Sequence, residues 1–405
     1  MSLTIEEASA LFPWNDEGFR TDPYPAYERA RRIAPVHRTT ENTYVVLNHA
    51  DTTHNAKLPC MRIAEPPAFA ATSAVEHPHP WTAFDNTVLS KDAPEHTRMR
   101  RLTNRWLTPK MIGTWARLTH DFTVEALDGL APGEVVDAHF DLGVMPTHLT
   151  MCRILDMPVG DVEGMFWALW DAMLINATAP GEGIHARSLA GMNFMFAETE
   201  RYVREKQAAE EPGNGLVDEL LAAHGRGELT WREVLETTVL LYMSGGPNPA
   251  YLIGAGFRLF AERPDLMAEF RDKPEIRDAF INELARLNPV ELIITRFPNA
   301  DIEIQGVHIP AGSCIKYPIG AANRDPEVFE NPNEFDYNRP PDASRNLTFG
   351  LGTHACAGQL LARAETSVIL GLVAERYSSV ELAGDPLEVR TDRLVAFDKL
   401  PVRLS

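Results

Sequence analysis

The stretch FGLGTHACAG, Phe349 to Gly358, carries one cysteine, Cys356, one histidine, His354, and the glycines Gly350, Gly352 and Gly358. Glycine has no Cβ, so a backbone built from it can turn sharply and lie close to a flat ligand. The next stretch, QLLARAETSVILGLVAERY, repeats apolar residues at helical spacing and predicts a helix opening at Gln359. Cys356 then sits in a tight loop just ahead of a helix N-terminus. Backbone N–H groups and the helix dipole there favour an anionic sulfur. A thiolate held in this way, with its far side free, suits an axial ligand of haem iron. Two plainer readings stand beside this one. A lone cysteine is usually a small buried hydrophobe. His354 and Cys356 could also be half of a zinc site, although no second Cys/His pair at ligand spacing exists in the chain.

Bulk properties narrow the field. The 405 residues are 44% hydrophobic, enough for a large core. No Gly/Ser-rich run, charge block, low-complexity segment or internal repeat marks a linker, so one large domain is expected. The net charge of −19 argues against nucleic acid as a partner. Cys60, Cys152, Cys314 and Cys356 are far apart and fit no disulfide framework, which points to a reducing cytosol. The opening residues lack a basic, apolar leader, and no stretch reaches the length of a membrane span.

Along the chain, DPYPAYERARRIAPVHR reads as a helix starting at Asp22-Pro23 and closed before Pro35, and TYVVLNHA as a short strand. Residues 59–94 are rich in Pro, Ala, His and Thr and read as a long loop. From His96 to His120 there is no acidic residue, while Arg98, Arg100, Arg101, Arg105, Lys110 and Arg117 are basic. In so acidic a chain this is a local reversal of sign; its plain reading is a solvated basic face. His96 and Arg100, four apart, share a helix face. Residues 112–226 read as successive helices. Among them MFWALWDAMLINATAP places Phe166, Trp167, Leu169, Trp170 and Met173 at core-like spacing.

Thr230 to Arg263 reads as one long helix, opened by the capping pair Thr230 and Glu233. Its centre is SGGPNP, with Pro247 and Pro249 inside the helix. Neither has an N–H, so the carbonyls of Met243 and Gly245 lose their helical donors and a kink is expected. In INELARLNP, Glu283 and Arg286 are three apart and can pair, as helical residues often do. ADIEIQG and VHIPAGSCIKY read as strands joined at Gly306, and residues 331–345 as irregular coil. RLVAF, 393–397, reads as a strand whose tip returns toward the interior.

Together, FGLGTHACAG, the His96-x-x-x-Arg100 pair, Glu283-x-x-Arg286 and the downstream FDYNRPP closely resemble the cytochrome P-450 family, over nearly the whole chain. The resemblance implies a mainly α fold with small β-sheets, a long central helix over the haem, and a single haem domain over residues 1–405. It implies haem b with Cys356 as thiolate ligand. His96, Arg100, Arg296 and His354 would hold the haem propionates by charge-assisted hydrogen bonds, with Phe349 and Gly350 against the cofactor. Glu283, Arg286 and Arg339 would form a structural triad.

The activity implied is monooxygenation, one oxygen atom of dioxygen entering a small hydrophobic or aromatic substrate, by hydroxylation or O-dealkylation. No GxGxxG fingerprint follows a strand, so electrons would come from a separate ferredoxin and its NAD(P)H reductase. Arg98, Arg101 and Arg105 would receive that acidic donor. No membrane anchor is implied, and the location would be cytoplasmic. Residues 59–94 would roof the pocket, and some of 165–180 would wall it.

One departure stands out. The family's helix centre carries Ala-Gly-Gly, an acid and a threonine. Here Ser244, Gly245 and Gly246 match, but Pro247 and Asn248 replace the acid and the threonine. Gly245, Gly246 and Asn248 are therefore the expected residues beside the reacting oxygen. An amide can donate and accept but cannot act as an acid. The rival readings are a haem-thiolate enzyme using peroxide or rearranging its substrate, and a haem sensor or carrier.

Overall fold

The structure is a computed structural model, and it describes residues 3–63, 86–173, 183–341, 345–391 and 393–405. The expected first helix is Tyr24–Ile33 (α1), ended where Pro35 cannot continue it. The basic run folds as Glu95–Asn104 (α2), and Pro109–Asp128 (α3) starts at Thr108, whose hydroxyl accepts from the Met111 N–H. Met145–Leu155 (α4), Val162–Met173 (α5), Ile184–Ala208 (α6) and Leu216–Gly225 (α7) follow. Of the expected pocket roof, residues 64–85 lie outside the described residues, as do 174–180 of the expected wall.

The long helix predicted from Thr230 to Arg263 is two helices. Trp231–Gly245 (α8) opens on the expected capping box: the Thr230 hydroxyl accepts from the Glu233 N–H at 3.2 Å, and the Glu233 carboxylate from the Thr230 N–H at 2.8 Å. Pro247–Glu262 (α9) begins directly after the break at Gly246. Pro247 opens a fresh first turn, the helical position where a missing N–H costs nothing. Arg277–Leu287 (α10) carries the Glu-x-x-Arg pair, and Gln359–Arg376 (α11) is the helix expected after the cysteine loop.

The β-structure is small. A five-stranded sheet has the order β1-β2-β5-β4-β3, from Val36–Arg38 (β1), Thr43–Val46 (β2), Met61–Arg62 (β3), Ile293–Pro298 (β4) and Cys314–Pro318 (β5). β2 runs parallel to β5, and β4 antiparallel to it with Arg296 opposite Ile315. The strands flanking Gly306 pair as a hairpin, Ile302 opposite Ile309. Leu387–Arg390 (β6) and Val395–Lys399 (β7) form the C-terminal hairpin, and the Leu292 N–H donates to the Arg393 carbonyl at 2.6 Å, tying its tip to the approach to β4.

Two large cores carry most of the helices. One gathers Tyr251, Phe257, Phe260, Phe270, Phe280 and Phe397 around α9, α10 and α11. The other joins α2 to α8 through Met99, Trp115, Met151, Phe196 and Tyr242. Phe166 is buried beside His139, whereas Trp167 is 36% exposed. Among the described residues, no helix is long and apolar enough to cross a membrane.

Candidate functional site

The loop ahead of α11 is closed by its own backbone. The Cys356 N–H donates to the Phe349 carbonyl at 2.7 Å and the Gly350 N–H to the Leu347 carbonyl at 2.9 Å. Gly350 and Gly352 have φ of 71° and 68°, the left-handed region that suits glycine, so the sharp turn depends on them. Phe349 is half-buried under the Arg363 guanidinium, 5.0 Å from its ring centre. Cys152 and Cys314 are buried, as an ordinary cysteine is, but Cys356 is exposed. Cys356 is open on one side, but the protein packed around the rest of the sulfur desolvates it and raises the thiol above its ordinary pKa, against the Gly358 N–H, the Arg100 guanidinium and the Gln359 N–H, which favour the thiolate.

The four residues expected at the propionates converge. Arg100 on α2 donates to the Ala355 carbonyl, next to Cys356. The His96 and His354 rings lie 4.1 Å apart. Arg296, on β4, is buried; its Nη1 donates to the Thr295 carbonyl at 2.8 Å, and its charge is felt at His354. Desolvation, then His96, then Arg296, push His354 down to about 4. Desolvation and then Arg100 lower His96. Asp92, 3.6 Å from His354 Nε2, is the carboxylate that opposes both shifts. His96 Nε2 is buried with no hydrogen-bond partner among the described residues. Two desolvated guanidiniums and two imidazole donors beside a lone carboxylate fit a ligand that brings two negative charges, as haem does through its propionates.

Behind the loop, Glu283 and Arg286 are 2% and 0% exposed. Arg286 donates to both Glu283 oxygens, at 2.8 and 2.7 Å, and Arg339 Nε donates to Oε1 at 3.0 Å. Burial acts to raise the Glu283 carboxyl, but Arg286, the Asp336 N–H and Arg339 outweigh it and hold the group below its ordinary value. The expected triad is thus assembled. Asn323 extends it: its amide donates to the Arg286 carbonyl at 3.0 Å, and its oxygen accepts from the Leu347 N–H at 2.8 Å, where the cysteine loop starts. No spacing in the sequence points to Asn323.

The expected kink is a full break at Gly246, and the Thr147 hydroxyl on α4 donates to the Gly246 carbonyl at 2.8 Å. A Cβ on Gly245 would lie 2.1 Å from Met151, and one on Gly246 3.0 Å from His148. These glycines, expected beside the reacting atoms, are therefore needed for α4 to pass close to the break. Asn248 is exposed, with no side-chain partner among the described residues. Two buried histidines bracket the break. His148 packs on Tyr242, ring centres 4.8 Å apart, and His139 Nδ1 lies 3.2 Å from the Ala250 carbonyl. Desolvation pushes both down to about 4. Neither showed in the sequence, where a lone histidine carries no pattern.

The basic run is less bare than its sequence. Arg98 pairs with Glu233 and donates to the Glu228 carbonyl, Arg105 meets Glu219, and Arg101 lies 4.0 Å from Glu228. Its missing acids are supplied by α7, α8 and the turn between them. Arg101 remains mostly exposed.

Comparisons with known proteins agree with this geometry. The family model described as Cytochrome P450 matches residues 86–402. The chain is 30% identical over 379 residues to Cytochrome P450 144 of Mycobacterium tuberculosis, covering 89% of this chain and 84% of that protein. It is 30% identical over 390 residues to Nocardicin C N-oxygenase of Nocardia uniformis, covering 93% and 94%. The crystal structure of Mycobacterium smegmatis CYP164A2 superposes with a TM-score of 0.86 at 25% identity, covering 97% of this chain and 99% of that one. A mainly helical fold with small sheets, the cysteine loop and these likenesses together show that the chain belongs to the cytochrome P-450 family, the haem-thiolate monooxygenases.

Proposed function

We propose that residues 1–405 act as one haem domain that inserts an oxygen atom from dioxygen into a small hydrophobic or aromatic substrate, in the cytoplasm, with electrons from a separate ferredoxin and its NAD(P)H reductase. The observation that carries this reading is Cys356, exposed at the head of α11 while Cys152 and Cys314 are buried, with Arg100 bound to the neighbouring Ala355 carbonyl. When bound, haem with a thiolate ligand supplies the oxygen activation. Cys356 is the ligand. His96, Arg100, Arg296 and His354 bind the propionates, Phe349 and Gly350 lie against the ring, and Glu283, Arg286 and Arg339 keep the loop in register. Arg101, the most exposed of the arginines assigned to the donor, receives the ferredoxin.

The test is spectroscopic. Reduced wild-type protein with carbon monoxide gives the thiolate-type band, and Cys356→Ala loses it. A normal band from that variant ends the reading. A screen for ligands that shift the haem spin state then identifies substrates. Electron transfer that neither weakens with salt nor responds to Arg101→Glu removes the docking role, since exposed charges are screened beyond about 8 Å at physiological ionic strength.

A second reading, use of peroxide in place of dioxygen and reductant, is favoured by Pro247 and Asn248 standing where an acid and an alcohol are usual. Pro247 relays no proton, and Asn248, exposed at the break, can orient water but not acidify it. Tight coupling to a ferredoxin with no peroxide-driven product excludes this reading. Unchanged coupling in Asn248→Ala removes Asn248 from oxygen activation.

A further inference from the structure

The tip of the C-terminal hairpin is held by Thr391. Its hydroxyl accepts from the Arg393 N–H at 3.1 Å and the Leu394 N–H at 2.9 Å, and its own N–H donates to the Leu394 carbonyl at 2.8 Å. The tip is then laddered to the approach to β4. The Leu292 N–H donates to the Arg393 carbonyl at 2.6 Å and the Val395 N–H to the Val290 carbonyl at 3.3 Å, which sets Glu291 opposite Leu394. With both backbones fixed, Arg393 Nη2 and Nε reach Glu291 Oε1 at 2.8 and 3.3 Å. Both bonds fall on one oxygen, and Glu291 Oε2 accepts no hydrogen bond among the described residues.

An ion pair at a hairpin tip is ordinarily a solvated surface contact of small worth. This one is set differently. Thr391, Leu394 and Val395 on its own hairpin, and Leu292 and Ile293 on the facing segment, are buried, while the Arg393 and Glu291 side chains stay 38% and 34% exposed. The pair therefore lines an opening between packed strands rather than a convex surface. The segment that carries Glu291 leads to the haem site. Ile294 and Leu351 of the cysteine loop pack on the same small core, and Arg296 lies in the propionate cluster. Three residues of strand span at most about 10 Å, so the Glu291 backbone stands within that reach of the wall beside the cysteine loop. On the other side β7 lies on α9, the helix that opens at the break, with the Phe397 and Tyr251 ring centres 5.3 Å apart.

We propose that Glu291 is a specificity residue that holds the amine of the substrate, a hydrophobic body bearing one protonated nitrogen. This rests on the monooxygenase reading above and narrows it. A carboxylate oxygen only accepts, so Oε2 requires an N–H or O–H donor. A cation makes that bond charge-assisted, about twice as strong as a neutral one. The Arg393 bonds fix Oε1, so Oε2 is presented in one orientation before the ligand arrives, which lowers the cost of binding. An anionic ligand is disfavoured, because Arg393 already faces Glu291 and the anion would meet the Glu291 charge beside it. The net charge of −19 also favours entry of a cation. With its nitrogen at Glu291, the substrate turns the opposite end of its body to the iron, and oxygen enters there.

The test titrates haem-loaded wild type, Glu291→Gln, and Glu291→Gln with Arg393→Gln, using phenylbutylamine, phenylbutanol, phenylbutanoic acid and pentylbenzene. An amine that ligates the iron moves the Soret band to the red. One anchored at Glu291 turns its ring to the iron, displaces water and moves the band to the blue. Wild type should give the blue shift with phenylbutylamine and bind it about tenfold more tightly than pentylbenzene, the low end of what a hydrogen bond to a charged group contributes. Both variants should lose that preference while keeping their affinity for pentylbenzene and their carbon monoxide band. The double variant also removes the Arg393 charge that Glu291→Gln alone leaves behind. Equal weakening of all four probes in both variants marks a structural role and overturns the proposal. A red shift alone overturns it too, as does tighter or equal binding of the alcohol or the acid in wild type. Absence of the carbon monoxide band in wild type would instead overturn the monooxygenase reading on which it rests.

Discussion

The hydroxyl of Thr147 donates to the carbonyl of Gly246 at 2.8 Å, across the gap between α4 and the break in the distal helix. The Gly143 carbonyl of the preceding turn lies at the same 2.8 Å from Thr147 Oγ1 and competes for its one proton. Thr147→Val keeps the shape and removes the donor. We expect a loss of about 1–2 kcal/mol in stability, from the Gly246 carbonyl left short of a partner. Denaturant unfolding of the haem protein measures it; an unchanged midpoint shows that the helix break holds without this bond.

Removing a cation from the propionate cluster should loosen haem without unfolding the protein. Arg100→Ala also frees the Ala355 carbonyl beside Cys356, so it should weaken retention more than His96→Ala. Arg296→Ala removes a buried guanidinium and should weaken it too. The readout is the rate of haem transfer to an apo-globin acceptor in mild denaturant. Wild-type rates in both arginine variants would remove the two residues from the cluster's function.

Glu283→Gln should be severe. It leaves the fully buried Arg286 and the nearly buried Arg339 without their shared carboxylate. Breaking a buried pair by removing one partner costs about 3–5 kcal/mol. The variant should express as haem-free or aggregated protein, whereas Arg101→Gln, at an exposed and long contact, should change stability by less than about 1 kcal/mol. A stable, haem-loaded Glu283→Gln protein would contradict the structural role of the triad.

His139 and His148 set an acid limit. Burial lowers both from the usual 6.5 to about 4, so the folded protein holds them neutral while the unfolded chain protonates them. The unfolded state therefore binds more protons below pH 6.5, and stability falls as pH drops from about 6.5 toward about 4. At pH 5 each histidine should account for about 2 kcal/mol of that loss. Denaturant unfolding at pH 7 and pH 5 checks this. His139→Asn with His148→Asn should flatten the difference, and an equal drop in that variant would assign the acid sensitivity elsewhere.

The sequence by itself determined the local geometry and the family. The Gly350 and Gly352 turn, the helix opening at Gln359 and the capping box at Thr230 depend on residues within a few positions of one another, so they are written in the chain. The proline pair likewise foretold a disturbed helix, because a missing N–H is a local fact. The sequence could not say what lies across from a residue. Arg98 and Arg105 read as a bare basic face because the glutamates that meet them, Glu233 and Glu219, are more than a hundred positions away. Gly245 and Gly246 read as residues beside the reacting oxygen, and only the close passage of Met151 and His148 showed why they lack side chains. Asn323, Thr147 and His139 carry no motif at all. Their roles arise from burial, which removes water as a partner and makes each polar atom depend on whatever the tertiary fold sets against it.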